Sequence, residues 1–419
     1  MRRRTVVDPR FGVRMRMLRE ERGRSLRDLE QPTLSSKSKL HNIETGATAP
    51  SLETARLIDD ALQAGGALVA MVRQPPPLRS GGEDETAAEP QPEMPSLLAS
   101  LRTGLAARRW PGDWGPTTIE LATVEANVHF VHEVYQQADY PKVVTVLPAT
   151  VAEAEQVVRD TAGETQRRAH RALALANLAL SKLAAKLGDG PLAWITADRA
   201  ASSALVAEDH LLWAAAAHQT GYALLRMPGR LDDAADVLAG ACDDLDRTGP
   251  PADAADVSIR GSLRLLGGVG AARRADRTAA RHQLSEAERL AGVLGEDGNQ
   301  LWTGFGPTNV LIHRASVAVE LHDPERAVEL SGRIDPERLP PSLVSRRAQI
   351  HLNLAAAFAQ VPGGDPTAVL HLLEAERIAP QLPGANHASR ALLIRLVSRE
   401  RRAETPGLRG LADRAGVLN

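Results

Sequence analysis

Apolar positions along this chain return at intervals of three and four almost throughout, the spacing of one face of an α-helix. Phe11, Met15 and Leu18 form the first such stripe and predict a helix over Phe11–Arg22, ended by Gly23. Ser25, with Asp28 three residues on, reads as the N-terminal cap of a second helix. Ser36 reads as the cap of a third, on which Leu40 and Ile43 share a face and which Gly46 closes. Lys37, Ser38, Lys39, His41 and Asn42 are left to project outward. Pro50-Ser51 opens a fourth helix bearing Leu52, Ala55, Leu57, Ile58 and Leu62. A short fifth, Ala67–Val72, completes a five-helix domain within residues 1–73.

Residues 74–95 break the pattern. Pro75-Pro-Pro77, Gly81-Gly82 and Glu83-Asp-Glu85 offer no apolar face and read as a flexible linker. From residue 96 to 419 the periodicity resumes as paired, alanine-rich segments: 117–137 with 141–160, 164–187 with 190–207, 209–226 with 231–247, 252–268 with 276–295, 306–321 with 323–332, and 340–360 with 365–378. A closing helix is expected over 386–402. Similar turns separate them, as in Leu187-Gly-Asp189, Pro228-Gly-Arg230 and Leu321-His-Asp323. Gly267-Gly-Val-Gly270 reads as a helix break. Paired helices recurring every 35–45 residues indicate an α-solenoid, because one pair alone cannot bury its apolar face. The fold class expected is therefore all-α.

Charge sharpens this division. The whole chain carries −2, yet residues 1–73 hold 14 Lys and Arg against 9 Asp and Glu, which leaves −7 for the rest. A basic head on an acidic body suits a nucleic-acid module joined to something else. Arginine outnumbers lysine 45 to 5, so arginine number alone says little about partners. Met1-Arg-Arg-Arg4 reads as a basic arm able to touch phosphates. The single Cys242 excludes an internal disulfide and reads as a buried small hydrophobe. No uncharged apolar run reaches membrane-spanning length, and a cytoplasmic protein is expected.

Residues 11–68 resemble the Xre/Cro-type helix-turn-helix domain. Leu18-Arg19, Gly23, Ser25-Leu26, Leu29, Ser36-Lys37-Ser38-Lys39-Leu40, Ile43-Glu44-Thr45-Gly46 and Pro50-Ser51 carry the resemblance. Two positions depart from it: Glu30 stands where a small residue usually packs the two helices, and Pro32 occupies a turn without glycine. The resemblance implies that Ser25, Arg27, Ser36, Lys37, Ser38, Lys39, His41 and Asn42 face double-stranded DNA. Ser38, His41 and Asn42 suit base edges, and Ser25, Arg27, Lys37 and Lys39 suit phosphates. Arg19 and Glu44 are expected to form a structural ion pair.

In the body, Ala368, Leu372, Ala375 and Pro380 resemble the second half of a tetratricopeptide repeat, and Ala234, Leu238 and Ala241 follow the same spacing after Gly221-Tyr222. Taken whole, the chain resembles regulators common in GC-rich bacteria, with an Xre-type head, a linker and a tetratricopeptide-like body. That resemblance implies transcriptional regulation, with the body dimerising, sensing a peptide or small molecule, or both. First helices of such a solenoid line its concave side, which makes Asn177, Gln219, Tyr222, Asn309, His313, Arg314 and Asn353 the candidate ligand contacts. The alternative is an interaction scaffold whose head no longer binds DNA. His129 and His132 could share a zinc ion but lack further ligands at suitable spacing, so no metal site is expected. No catalytic residue, cofactor or enzymatic activity is expected, since no phosphate-binding or nucleophile motif appears.

Overall fold

The structure, a computed structural model, describes residues 6–7, 11–45, 48, 50–64, 68–69, 72–73, 94–106, 119–400 and 404–418. The arm Met1–Arg4, Gly46 and nearly all of the expected linker lie outside the described residues. The chain forms two units, Met1–Gln91 with Arg395–Ala412, and Pro92–Ile394 with Asp413–Asn419.

In the first unit, β1 (Val6–Val7) precedes α1 (Phe11–Glu21), α2 (Glu30–Thr33), α3 (Lys37–Glu44), α4 (Leu52–Ala61) and β2 (Val72–Arg73). The apolar stripes read from the sequence meet in one core: Phe11, Met15 and Leu18 from α1, Leu40 and Ile43 from α3, and Ala55 and Ile58 from α4. Gly23, at φ 60°, ends α1. A Cβ at Gly12 would stand 2.3 Å from the Ile43 carbonyl oxygen, so α1 and α3 cross at backbone contact distance there.

Two expectations fail locally. The second helix begins at Glu30 rather than after Ser25. Pro32 is the reason: in a longer helix its ring would collide with the carbonyl four residues back, and it has no N–H to donate. Residues 25–30 instead form single turns, with the Asp28 N–H donating to the Ser25 carbonyl and the Glu30 N–H to the Arg27 carbonyl, both at 3.1 Å. The expected cap still forms around this turn, where the Ser25 N–H donates to Asp28 Oδ2 at 2.7 Å. That bond holds the Asp28 carboxyl below its usual range. The expected fifth helix does not reach Val72, which lies in β2, while residues 67, 70 and 71 lie outside the described residues. Among its described residues, Leu68 and Val69 donate their backbone N–H groups to the buried Asp59 carboxylate. Val72–Arg73 then pairs antiparallel with Val6–Val7. The β-branched Val72 suits that pairing better than a helix.

The second unit is an α-solenoid. It opens with α5 (Met94–Ala106), which the sequence reading did not assign and which packs on α7. Six helical pairs follow: α6 (Leu121–Gln136) and α7 (Tyr140–Asp160), α8 (Gly163–Lys186) and α9 (Gly190–Val206), α10 (His210–Leu224) and α11 (Leu231–Arg247), α12 (Ala254–Arg273) and α13 (Arg277–Leu294), α14 (Pro307–Glu320) and α15 (Pro324–Gly332), then α16 (Val344–Phe358) and α17 (Asp365–Ile378). α18 (Leu382–Ala385), α19 (His387–Ser398) and α20 (Leu408–Arg414) close the chain. Each first helix packs on its partner and on the next first helix, so α6, α8, α10, α12, α14 and α16 form a continuous inner layer.

One device sets many of the turns. Asp139, Asp189, Asp209, Asp276 and Asp323 each cap the second or first helix that follows them, accepting a backbone N–H three residues on. The residue before each lies in the left-handed region: Ala138, Gly188, Glu208, Ala275 and His322. A side chain there costs energy that glycine avoids. Ala275→Gly should therefore raise the stability of the body by about 0.5–1 kcal/mol, read as a higher urea midpoint. An unchanged or lower midpoint would refute the strain.

The glycine run at 267–270 does not break a helix. It lies within α12, where a Cβ at Gly268 would press on Leu284 and one at Gly270 on Leu225. Small residues there set the distance between neighbouring helices, and packing overrides propensity.

Candidate nucleic-acid interface and solenoid cavity

α3 is held from both ends of its N-terminal turn. The Ser36 Oγ accepts from the Lys39 N–H at 3.3 Å, as the sequence predicts. The Glu30 carboxylate accepts from the Lys37 N–H at 2.5 Å. Glu30, out of place by the family pattern, thus ties α2 to α3 and sets a negative charge on the positive end of the helix dipole. Between the helices Leu34 adopts φ 49° and stands exposed.

Leu40, Ile43 and Glu44 are buried, whereas Lys37, Ser38, Lys39, His41 and Asn42 are all exposed on the opposite side. Among the described residues, none of these five side chains makes a hydrogen bond or ion pair. Ser36 shares that exposure at the helix start, and Ser25 and Arg27 are exposed in the preceding turn. The expected ion pair anchors the helix from behind. Arg19 Nε lies 2.7 Å from Glu44 Oε1 and Nη2 3.3 Å from Oε2, while Nη1 donates to the Arg24 carbonyl. The hydrogen bond to Glu44 raises the Arg19 pKa above its ordinary value.

Residues 10–71 match the family model described as a helix-turn-helix domain. α2 and α3 lie within that match, in the order of the two helices of such a motif, the second of which reads DNA in characterised examples. No curated protein matches the chain. Among the described residues, no helix is long and apolar enough to cross a membrane.

The second site lies on the inner layer of the solenoid. Gln219 and Tyr222 from α10 and Asn309 and His313 from α14 line one cavity of about 130 Å³. The other expected ligand contacts do not reach it. Asn177 donates to the Leu173 carbonyl within its own helix. Asn353 staples α16 to α14, donating to the Ile312 carbonyl and accepting from Ser316. Arg314 pairs with Glu288 on α13 at 3.0 Å. Asn353 and Arg314 satisfy neighbouring helices and Asn177 its own, and none of the three lines the cavity.

Residues missed by the sequence reading complete the cavity: Lys182 and Lys186 on α8, His218, Arg346 on α16, and Trp302. Two of the chain's five lysines, one turn apart on an alanine-rich helix, were the available signal. Lys182 Nζ donates to the Trp302 carbonyl at 3.3 Å and Arg346 Nη2 to the Thr303 carbonyl at 3.2 Å. Leu301 and Trp302 both hold positive φ, at 49° and 58°. His129 and His132 clasp the Trp302 ring, edge-on at 4.6 Å and stacked at 5.0 Å. Those histidines thus brace an aromatic wall. Among the described residues no cluster of three His, Cys, Asp or Glu side chains is placed to hold a metal ion.

Burial, with Arg346 nearby, pushes the Lys182 ammonium down to about 7. Burial, with the same cations, lowers His218 to about 3. Burial would raise the Tyr222 phenol, yet Arg226, Lys186 and Arg346 outweigh it and bring it to about 8. Cys242, outside this cavity, is buried in the core of α11, which pushes its thiol up to about 11.

Proposed function

We propose that this chain is a sequence-specific DNA-binding transcriptional regulator of the Xre type, and that its tetratricopeptide-like solenoid senses a small effector and holds two heads as a homodimer. The observation that carries the reading is the outer face of α3, five exposed polar or basic side chains with no partner among the described residues. Its buried side is fixed by Leu40, Ile43 and the Arg19–Glu44 pair. Such a helix is rigid where it meets the protein and free where it would meet a major groove. The cavity supports the sensing role, since its polar residues come from several different helices of the solenoid. We place the protein in the cytoplasm, without enzymatic activity.

A second reading, an interaction scaffold, draws on the four-residue α2 and its exposed Leu34. One experiment separates the two. Full-length protein should retard its own genomic sites, recovered by chromatin mapping, with strong salt dependence. Asn42→Ala should relax preference at one base position by about 1–3 kcal/mol. Lys39→Ala should weaken all sequences alike and reduce the salt slope by about 1. No retardation at low salt would leave the scaffold.

A further inference from the structure

We propose that the cavity on the inner layer of the solenoid binds a small organic oxyanion that also carries O–H or N–H donors, the chemistry shared by phosphate esters and hydroxylated polycarboxylates. The cavity is lined by Lys182, Lys186 and Arg346, which α8 and α16 bring to one space, and among the described residues none of its lining side chains is a carboxylate. Elsewhere in the body buried or half-buried arginines meet carboxylates, as Arg260 meets Asp256, Arg273 meets Glu320 and Arg314 meets Glu288. Positive groups gathered away from bulk water without a counter-charge repel one another and lose solvation. A bound anion removes both costs.

A second observation points to the rest of the ligand. Asn309 and Gln219 are almost fully buried, and their Oδ1 and Oε1 atoms accept no hydrogen bond among the described residues. Both side chains line the same cavity. A buried acceptor without a donor is costly, so donors on the ligand would be selected for. The volume of about 130 Å³ corresponds to roughly four waters at about 30 Å³ each. That suits a small metabolite rather than an extended peptide. Burial lowers Lys182, with Arg346 adding to it, and Lys186 and Arg346 are among the cations that lower Tyr222, in line with this positive potential.

Binding would draw α8, α10, α14 and α16 onto one molecule, and so favour one curvature of the inner layer. A change in operator affinity then follows only to the extent that the anion prefers one arrangement. That last step rests on the regulator reading; the anion site does not.

Calorimetry and thermal unfolding of the full-length protein test the site, with glucose 6-phosphate, citrate and inorganic phosphate as probes, glucose as neutral control, and sodium chloride at matched ionic strength. Glucose 6-phosphate or citrate should bind and raise the melting temperature beyond the chloride control, and glucose should not. Preference for the first marks a phosphate ester, and for the second a polycarboxylate. Lys186→Met and Arg346→Gln should each weaken binding about tenfold or more. The Lys186 ammonium has no hydrogen bond or ion pair among the described residues, so Lys186→Met should melt no lower than the wild type without ligand. Absence of any effect beyond chloride overturns the proposal, as does equal binding by both variants. Inorganic phosphate binding as tightly as the organic anions overturns the role of Asn309 and Gln219. An anion that binds through these residues but leaves operator affinity unchanged keeps the site and removes the effector role. Loss of DNA binding in all conditions overturns the regulator reading alone.

Discussion

Arg19→Ala should lower the stability of the helix-turn-helix head by about 3–5 kcal/mol, because it leaves a buried carboxylate without its partner. Glu44 is almost fully enclosed, at 6% side-chain exposure, and Arg19 is 13% exposed. The pair is bidentate, and the same guanidinium holds the Arg24 carbonyl beyond the end of α1. One side chain therefore fixes α1, the turn before α2, and the inner side of α3. The five tryptophans all lie outside residues 1–73, so their fluorescence would not see this loss. Amide hydrogen exchange of α1 and α3 in the full-length protein would. Arg19→Met combined with Glu44→Leu should recover part of the stability, since no charge is then left unpaired. A single-mutant loss below about 1 kcal/mol would show that water screens the pair. DNA affinity should fall with Arg19→Ala even though the side chain faces away from the proposed groove, because α3 loses its anchor.

The parts of this molecule legible in the sequence are those fixed by local periodicity. Six helical pairs were readable because each apolar stripe repeats within one helix and several turns carry their own cap, as Asp189 and Asp323 do. The side of α3 left free was readable for the same reason, since Leu40 and Ile43 orient the whole helix. Failures came where a single residue or a distant partner decides. Pro32 delays α2, although the Ser25–Asp28 cap that suggested an earlier start does form. Val72 pairs with a segment more than sixty residues away, which helical periodicity cannot register. Gly267–Gly270 looked like a break because glycine is a poor helix former, but contact with Leu284 and Leu225 decides there.

The cavity was half legible. Knowing that first helices face inward selected Gln219, Tyr222, Asn309 and His313, which do meet. It also selected Asn177, Arg314 and Asn353, whose bonds run to neighbouring backbone or to a carboxylate instead. Asn177 and Arg314 stand one residue from the lining Leu178 and His313, about 100° around the axis, whereas Asn353 shares the face of Gln349 one turn further along. Lys182 and Arg346 are 164 positions apart in the chain, and only the stacking of the inner layer brings them to one space.

The corresponding large effect in the body is expected for Arg260→Ala, again about 3–5 kcal/mol. Arg260 and Asp256 lie one turn apart on α12, both almost fully buried, with Nε 2.6 Å from Oδ1. Asp256 also accepts the Ala252 N–H, and Arg260 donates to Thr248 and Asp246. Together they secure the start of α12 against the end of α11. The neighbouring Gly261 shows how tight this region is, since a Cβ there would overlap the Phe305 ring at 2.0 Å. The loss is readable by tryptophan fluorescence during urea unfolding, because Trp213 and Trp302 lie in the body. It should change little between low and moderate salt, for the pair is shielded from ions. Arg260→Met with Asp256→Asn should come much closer to the wild type, since it keeps the volume and an acceptor for Ala252 while removing both charges. A single mutant as stable as the double would mean that the carboxylate reaches water when its partner is gone, and that the pair is a surface contact.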